Sequence, residues 1–358
     1  MSEAPLTRTR SSKDQQPMRR SKKRKAKRKK KLLVGSIVTF VVLVAGFYLT
    51  HDLRLWLAGT LLTTQHSSWA KYTLVGEDAL NSLRAEINNP EAINSVSPTE
   101  VTTPPGKDEE KQEEKPVQKE LTEVVPVEKY FNPAHYFKGY VMKVSDPNRV
   151  HLIQTTGAKK NRGKPRGEWI SEFSERTNAI GGVNASGFYD PNFMGYGSQA
   201  AGLVIVDGKL LQDYNPSGGD TVLGIDYNGK LITGRYTSKE LLKMNIRDAM
   251  SFRPQLVVNG KNLFAGKDPI SWGIAPRTAV GQMADGTILF IVIDGRQKHS
   301  IGASMKDMAD LLEEYGAVNG MAMDGGTSSM MVDKGNVLTK SANGDPRGRW
   351  LPNAWMVY

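Results

Sequence analysis

Two apolar runs that each end on Asp-Gly, joined by an amphipathic stretch, constrain this chain more than any other feature. The first reads Ile288-Leu-Phe-Ile-Val-Ile-Asp294-Gly295-Arg296, the second Gly320-Met-Ala-Met-Asp324-Gly325-Gly326-Thr327-Ser328-Ser329. Between them Ser304 and Asp307 form a capping start. Met308, Leu311, Leu312 and Tyr315 then repeat at i, i+3, i+4 and i+7, and Gly316 closes the run. Strand, helix and strand in that order require a crossover packed on a sheet, with a carboxylate at each strand exit.

Charge is unevenly spread. Residues 1–31 carry 14 Lys and Arg against Glu3 and Asp14, a net +12, whereas the whole chain is +11. Everything after residue 31 is therefore close to neutral, and no nucleic-acid partner is expected. Cysteine is absent, which removes disulfides and thiolate metal sites. The five histidines (His51, His66, His135, His151, His299) form no H-E-x-x-H or H-x-H pair, which argues against a zinc enzyme.

The basic tail at 1–31 leads into an uncharged apolar run. Its length and flanking charge predict an uncleaved transmembrane signal anchor over 32–50, with the N-terminus cytoplasmic and the remainder extracellular. Residues 51–89 read as a juxtamembrane segment. Residues 90–129, rich in Pro, Glu, Lys, Thr and Val without apolar periodicity, read as a flexible, disordered stalk. A domain over 130–358 is long enough for one sizeable core.

Within that domain Tyr140–Val144 and Val150–Ile153 suggest a strand pair, and Glu168–Arg176 a short helix. Asp207-Gly208, Asn228-Gly229, Asn259-Gly260 and Asp285-Gly286 signal hairpins. Ser238–Met244 reads as a helix with an N-cap serine, and the segment after Arg349 as a last strand. The fold class expected is α+β, with a large mixed β-sheet and flanking helices.

Gly195-Tyr-Gly197-Ser-Gln-Ala200 satisfies G-x-G-x-x-A, but a strand pattern follows it where a dinucleotide site needs a helix. Asp294 could be a turn residue or a functional carboxylate. Arg277 opens the partner strand of the same hairpin, so a guanidinium beside Asp294 is expected. Asp324 with Gly325 and Gly326 reads as an anion-binding nest, with Ser328 and its neighbours adding hydroxyl donors. A plain small-residue turn fits the same residues. Arg349 could clamp a phosphate or be solvated.

Taken together, Asn184-Ala-Ser-Gly-Phe188, Ser251-Phe-Arg-Pro-Gln-Leu-Val-Val-Asn-Gly260, Pro276-Arg-Thr-Ala-Val-Gly281, Ile293-Asp-Gly-Arg296, Ala317-Val-Asn319, Met323-Asp-Gly-Gly326 with Ser328-Ser329, and Arg349 resemble the phosphodiester glycosidase family. Their order and spacing cover most of 135–358. Two departures stand out: Ala322 where the family often has Asn, and Arg253 where Gly is usual.

The resemblance, with the anchored layout typical of Gram-positive members, implies an extracytoplasmic hydrolase of a GlcNAc-1-phosphodiester-like bond. Its substrate would be an anionic sugar-phosphate or wall polysaccharide, in cell-envelope or exopolysaccharide metabolism. Asp294 and Asp324 would be catalytic. Asn184, Arg277, Arg296, Gly325, Gly326, Ser328 and Arg349 would bind substrate. No cofactor is firmly implied, although a divalent cation held by the two aspartates would fit. A wall-polymer binding or assembly factor, or a phosphoglycosyl transferase, would use the same residues.

Overall fold

A computed structural model describes residues 29, 31–42, 44–46, 50–64, 66–88, 90–96, 120–190, 194–266 and 272–358. The chain divides into two compact units, Met1–Arg54 and Leu55–Tyr358. In the first, the described residues of 31–46 are helical, and their apolar side chains, among them Leu33, Ile37 and Phe40, are exposed. Among the described residues no single helix is long and apolar enough to cross a membrane. Lys31–Gly46 and His51–Leu62 meet that requirement only as a pair.

The second unit starts with helices. α1 (His51–Leu62) runs into it, a 3₁₀ turn follows at Ser67–Thr73, and α2 (Glu77–Asn88) comes next. Ala58, Ala70, Val75, Leu80 and Leu83 bury a small core among them. Strands then follow: β1 (Thr122–Asn132), β2 (His135–Val144), β3 (Val150–Gln154), β4 (Lys160–Asn161) and β5 (Lys164–Pro165). After α3 (Ile170–Thr177) come β6 (Gly181–Asn184), β7 (Val204–Val206), β8 (Lys209–Gln212), β9 (Asp220–Asp226) and β10 (Leu231–Tyr236). Beyond α4 (Ser238–Lys243) lie β11 (Ile246–Ser251), β12 (Gln255–Val258), β13 (Lys261–Asn262), β14 (Arg277–Met283) and β15 (Ile288–Ile293). Finally α5 (Met305–Glu314) precedes β16 (Ala317–Met323), β17 (Met331–Asp333), β18 (Asn336–Val337) and β19 (Asn353–Val357).

The expected large mixed sheet is instead three larger sheets and the two-stranded β4–β5 hairpin, antiparallel in every pairing among the described residues. The orders of the larger three are β1-β2-β15-β14-β16-β12-β13, β10-β9-β11-β7-β8 and β18-β17-β6-β19-β3. The hairpin turns enforce this alternation. Each of the four Asx-Gly pairs joins consecutive strands, and Gly208, Gly229, Gly260 and Gly286 all take positive φ.

The crossover is where periodicity placed it. β15 and β16 both pair antiparallel with β14, so they run parallel to each other and α5 connects them. Ser304 caps α5 reciprocally with Asp307, and Gly316 leaves it at φ 81°.

The three sheets meet around one apolar centre, with Met142, Phe290, Val292 and Met323 from the first. Leu223, Ile225 and Met250 come from the second, and Leu152, Val183 and Trp355 from the third. The opposite face of the seven-stranded sheet is covered by α5 through Met305, Met308, Leu311 and Leu312, together with Ile87 and Trp272.

Four expectations change. Tyr140–Val144 and Val150–Ile153 lie in different sheets rather than pairing, because β2 finds its partners in β1 and β15, and β3 in β19. The N-cap of α4 is Thr237, not Ser238, since Thr237 accepts from Glu240 N. Residues 51–88, expected as a spacer, pack on the domain: Ile87 joins the core beneath α5, and Arg253 Nε donates to Ile87 O at 3.0 Å.

The stalk is ordered at both described ends, while 97–119 lie outside the described residues. At one end Ser95 N donates to Thr233 O at 2.8 Å and Gln255 binds both the N–H and C=O of Ile93. At the other, β1 pairs with β2 through most of its length. It is an edge strand that buries little and carries Pro126 on its free side, so it leaves no apolar alternation to read.

Candidate active site

The strand exits at one end of the seven-stranded sheet determine which side chains meet. Arg277, the first residue of β14, sits directly opposite Ile293. Residues opposite each other share a face and the next residue turns to the other, so Asp294 points away from Arg277. The expected Arg277–Asp294 pair does not form.

Asp294, 5% exposed, spends one oxygen on His299 Nε2 at 2.9 Å and the other on Lys340 N at 2.9 Å. Its carbonyl accepts from Ser300 Oγ at 2.6 Å. Lys340 is followed by Ser341, whose Oγ donates to Thr327 O. Asp294 therefore anchors the loop that braces the turn after Asp324.

That turn gathers the arginines. Arg277 is buried; its Nε donates to Ala303 O at 3.2 Å, and its Nη2 to Trp272 O at 2.5 Å and Gly273 O at 3.1 Å. Its Nη1 lies 3.7 Å from where a Cβ on Gly325 would stand. Arg296, exposed and at φ 57°, brings its Nη1 within 3.5 Å of the corresponding point on Gly326. Arg349 Nη1 donates to Thr327 Oγ1 at 3.0 Å, while its guanidinium lies over the Phe188 ring at 4.2 Å.

None of the three forms an ion pair with a carboxylate among the described residues. Burial, and next the charge of Arg296, lowers Arg277 to about 9, which leaves it protonated at neutral pH. Arg296 is lowered by the protein crowding it. Arg349 is lowered by burial and supported by Asp324 and Asp190. Three cations gathered at one turn, none of them ion-paired with a carboxylate among the described residues, make a site that suits an anion.

Asp324 stands beside them. By exposed area it is half-buried, yet burial is the largest cause raising its carboxyl above the ordinary carboxylate range. Ser328, Arg349 and the N–H of Gly325, which donates to Asp324 Oδ1 at 3.0 Å, pull the other way. Ser328 Oγ meets no strict hydrogen-bond geometry in the described structure. Like Ser329 Oγ, it is buried and unpartnered there.

Three sequence expectations take a different form. Asn184 is fully buried, and its amide is consumed: Nδ2 donates to Asp324 O at 2.7 Å, and Oδ1 accepts from Thr278 Oγ1 and Met330 N. From its fully buried position it holds the Asp324 turn in place. The glycine nest also differs, because Gly325 N is taken by Asp324 and Gly326 N by Pro276 O. The guanidinium groups come to ordinary contact distance of where a Cβ would stand, while a Cβ on Gly325 would crowd Pro276 O at 3.0 Å and Gly326 takes φ 63°. A cation shared by the two aspartates would meet Asp294 with both oxygens already engaged, by His299 Nε2 and Lys340 N. Among the described residues no group of three or more His, Cys, Asp or Glu side chains is placed to hold a metal ion.

His299 belongs to no spacing pattern, and Phe188 only closes the Asn184-Ala-Ser-Gly-Phe188 motif; the folded loops bring the first to Asp294 and the second to Arg349. Ala322, where the family often has Asn, lies opposite Ala279 beneath α5, on the sheet face that Arg277 shares two residues along β14.

The model of the phosphodiester glycosidase family matches residues 177–358, half of the chain. A curated relative, the SPbeta prophage-derived uncharacterized protein YomE of Bacillus subtilis (strain 168), is 26% identical over 257 residues. That match takes in 63% of this chain and 39% of the relative, so the chain spans about two fifths of that protein's length. Among solved structures, the catalytic domain of zebrafish N-acetylglucosamine-1-phosphodiester alpha-N-acetylglucosaminidase, auto-inhibited by its pro-peptide, aligns with a TM-score of 0.56 at 20% identity. The alignment covers 67% of this chain and 84% of that one, a likeness of fold. The matched residues include Asp294, Asp324 and all three arginines, and with them this chain belongs to the phosphodiester glycosidase family.

Proposed function

We propose that the chain hydrolyses a sugar-1-phosphodiester at the anomeric C–O bond, releasing the sugar and leaving a phosphomonoester on its partner. The observation that carries this reading is the convergence of Arg277, Arg296 and Arg349 on Gly325-Gly326-Thr327 with no carboxylate paired to any of them among the described residues. A phosphate placed there would satisfy Arg277 Nη1 and the free edges of the other two.

The step is a substitution at carbon. Water attacks the anomeric carbon, the C–O bond breaks with its electron pair on the phosphate oxygen, and the transition state has oxocarbenium character. Phosphate is already a stable anion, so the departing oxygen needs charge stabilisation more than a proton, and the arginines supply it. Ionised Asp324 takes the proton from the attacking water and faces the developing positive charge; a raised carboxyl suits a base working near neutral pH. Asp294 acts through the Lys340–Ser341 loop, and Asn184 through the carbonyl of Asp324.

The basic tail 1–31 and the apolar segment 32–50 would tether the domain to the outer face of the cell membrane. The exposed apolar helix within 31–46 suits lipid contact. The substrate would then be an anionic sugar polymer of the envelope.

Incubating the detergent-solubilised full chain with a GlcNAc-1-phosphodiester tests the reaction. Free sugar and a phosphomonoester are expected. Binding without turnover, or product only when an alcohol acceptor is added, would replace hydrolysis with a binding or transfer role.

A further inference from the structure

A second cationic feature stands beside the arginine cluster. Residues 157–166 carry Lys159, Lys160, Arg162, Lys164 and Arg166 and no acidic residue. Lys159 and Arg166 are bound to Glu172, at 3.5 and 2.8 Å. Lys160, Arg162 and Lys164 are exposed, and none forms an ion pair among the described residues. They sit on the β4–β5 hairpin, whose Arg162-Gly163 turn has φ of 48° and 77°. A tight turn of this kind favours Asn-Gly. Arginine at its first position holds a guanidinium at the tip against backbone preference.

The hairpin is fixed to the wall that carries Arg349. Gly167 N donates to Tyr196 O at 2.7 Å, and Glu168 and Leu351 exchange both backbone bonds. A Cβ on Gly167 would run into Gly197 O and Leu351 O. Across this junction Lys164 Nζ lies 5.9 Å from the Tyr196 ring, and Tyr196 stacks on Trp350 at 6.3 Å and 6°. Trp350 adjoins Arg349, which reaches the Asp324 turn through Thr327. Behind it, Arg166 lies 5.2 Å from the Trp350 ring, and Arg347 4.0 Å from Trp169. Trp350 Nε1 and Arg349 Nε are buried with no hydrogen-bond partner in the described structure.

Cations alternating with rings, running from the hairpin tip to Arg349, match a ligand in which phosphates alternate with sugar rings. The phosphates meet ammonium and guanidinium groups, and the apolar faces and edges of the sugars meet aromatic ones. We propose that the β4–β5 hairpin, Tyr196 and Trp350 form a second binding subsite. It takes the phosphate-bearing repeats next to the scissile bond of a polymeric sugar phosphodiester. The proposal rests on the sugar-phosphodiester reading of the arginine cluster and extends it from a single diester to a polyanion.

The test uses full chain in detergent and non-hydrolysable phosphonate analogues of a sugar-1-phosphate, as a single repeat and as a long oligomer, titrated at low and high salt. The oligomer is expected to bind at least about ten-fold more tightly, with the advantage shrinking as salt rises, as for any multivalent phosphate contact. In the triple variant Lys160→Ser, Arg162→Asn, Lys164→Ser the ratio should fall to about two-fold or less. Arg162→Asn alone should lower the ratio without lowering the melting temperature, because Asn suits the turn; this separates lost contact from lost fold.

A wild type indifferent to length, or a length preference that survives the triple variant, would overturn the subsite. An oligothymidylate of equal charge binding as tightly would overturn the assignment to sugar phosphate. Since the analogues cannot be cleaved, a protein that binds the long oligomer in this way but never hydrolyses the natural linkage would refute the reaction and leave the subsite standing.

Discussion

Asp324 and Asp294 look equivalent in the sequence, each the first polar residue after a buried strand. They separate only when their partners are known: Asp294 has both oxygens committed, whereas Asp324 sits among arginines with burial raising its carboxyl. Which aspartate stays available depends on loops at 299, 340 and 349, far apart in sequence, and no local pattern encodes that. Asp324→Asn should lower kcat by about 10²–10⁴-fold.

A raised carboxyl also costs stability when it ionises. The native state holds its proton to higher pH than the unfolded chain, so stability is lost as pH climbs from the ordinary carboxylate range through the raised value. Asp324→Asn keeps an acceptor for Gly325 N but cannot ionise. Its melting temperature should therefore exceed wild type at neutral pH and converge with it in acid. A variant that melts lower at neutral pH would contradict the burial argument. For the wild type, kcat/KM should fall on the acid side at a pH above the usual carboxylate range. Arg296→Gln, at an exposed position, should raise KM about ten-fold while changing stability by no more than about 0.5 kcal/mol. Equal loss in fold stability would make Arg296 a scaffold residue.

At the level of elements, local signals carried far. The four Asx-Gly turns, the α5 cap and the buried β15 run were legible because each rests on neighbours within a few residues. Sheet membership was not: β2 and β3 are adjacent in sequence but belong to different sheets, since β15 beside β2 and β19 beside β3 both lie more than a hundred residues away. The collar that Ile87 and residues 90–96 form on the domain was hidden for a related reason. Ile87 is one apolar residue on a short helix, and 90–96 is held by side chain-to-backbone bonds from Gln255, Asn259 and Asn319, which leave no periodicity.

Arg253, the departure from the family pattern, has its role here, donating to Ile87 O and Asn88 Oδ1 at the end of α2. Arg253→Met should loosen the collar by about 1–3 kcal/mol. Hydrogen exchange at 87–96 should speed up while exchange in β14–β16 does not. Unchanged exchange at 87–96 would show that the apolar contacts alone hold it.

For the molecule as a whole, the family assignment and the proposed topology rest on different footings. Order and spacing of weak motifs point to the family because such motifs mark the strand exits and turns that the fold brings together. The anchor is a matter of hydropathy and flanking charge at one end of the chain, and protease protection on intact cells tests it. The compact unit Leu55–Tyr358 should be digested from outside, and an unchanged protein would place it inside.

The central claim is cleavage at carbon by an arginine-bound phosphate site, and hydrolysis of a GlcNAc-1-phosphodiester in heavy-oxygen water tests it most directly. The account predicts that the heavy oxygen appears on the anomeric carbon of the released sugar and the phosphomonoester stays unlabelled; label in the phosphate would show attack at phosphorus and contradict it.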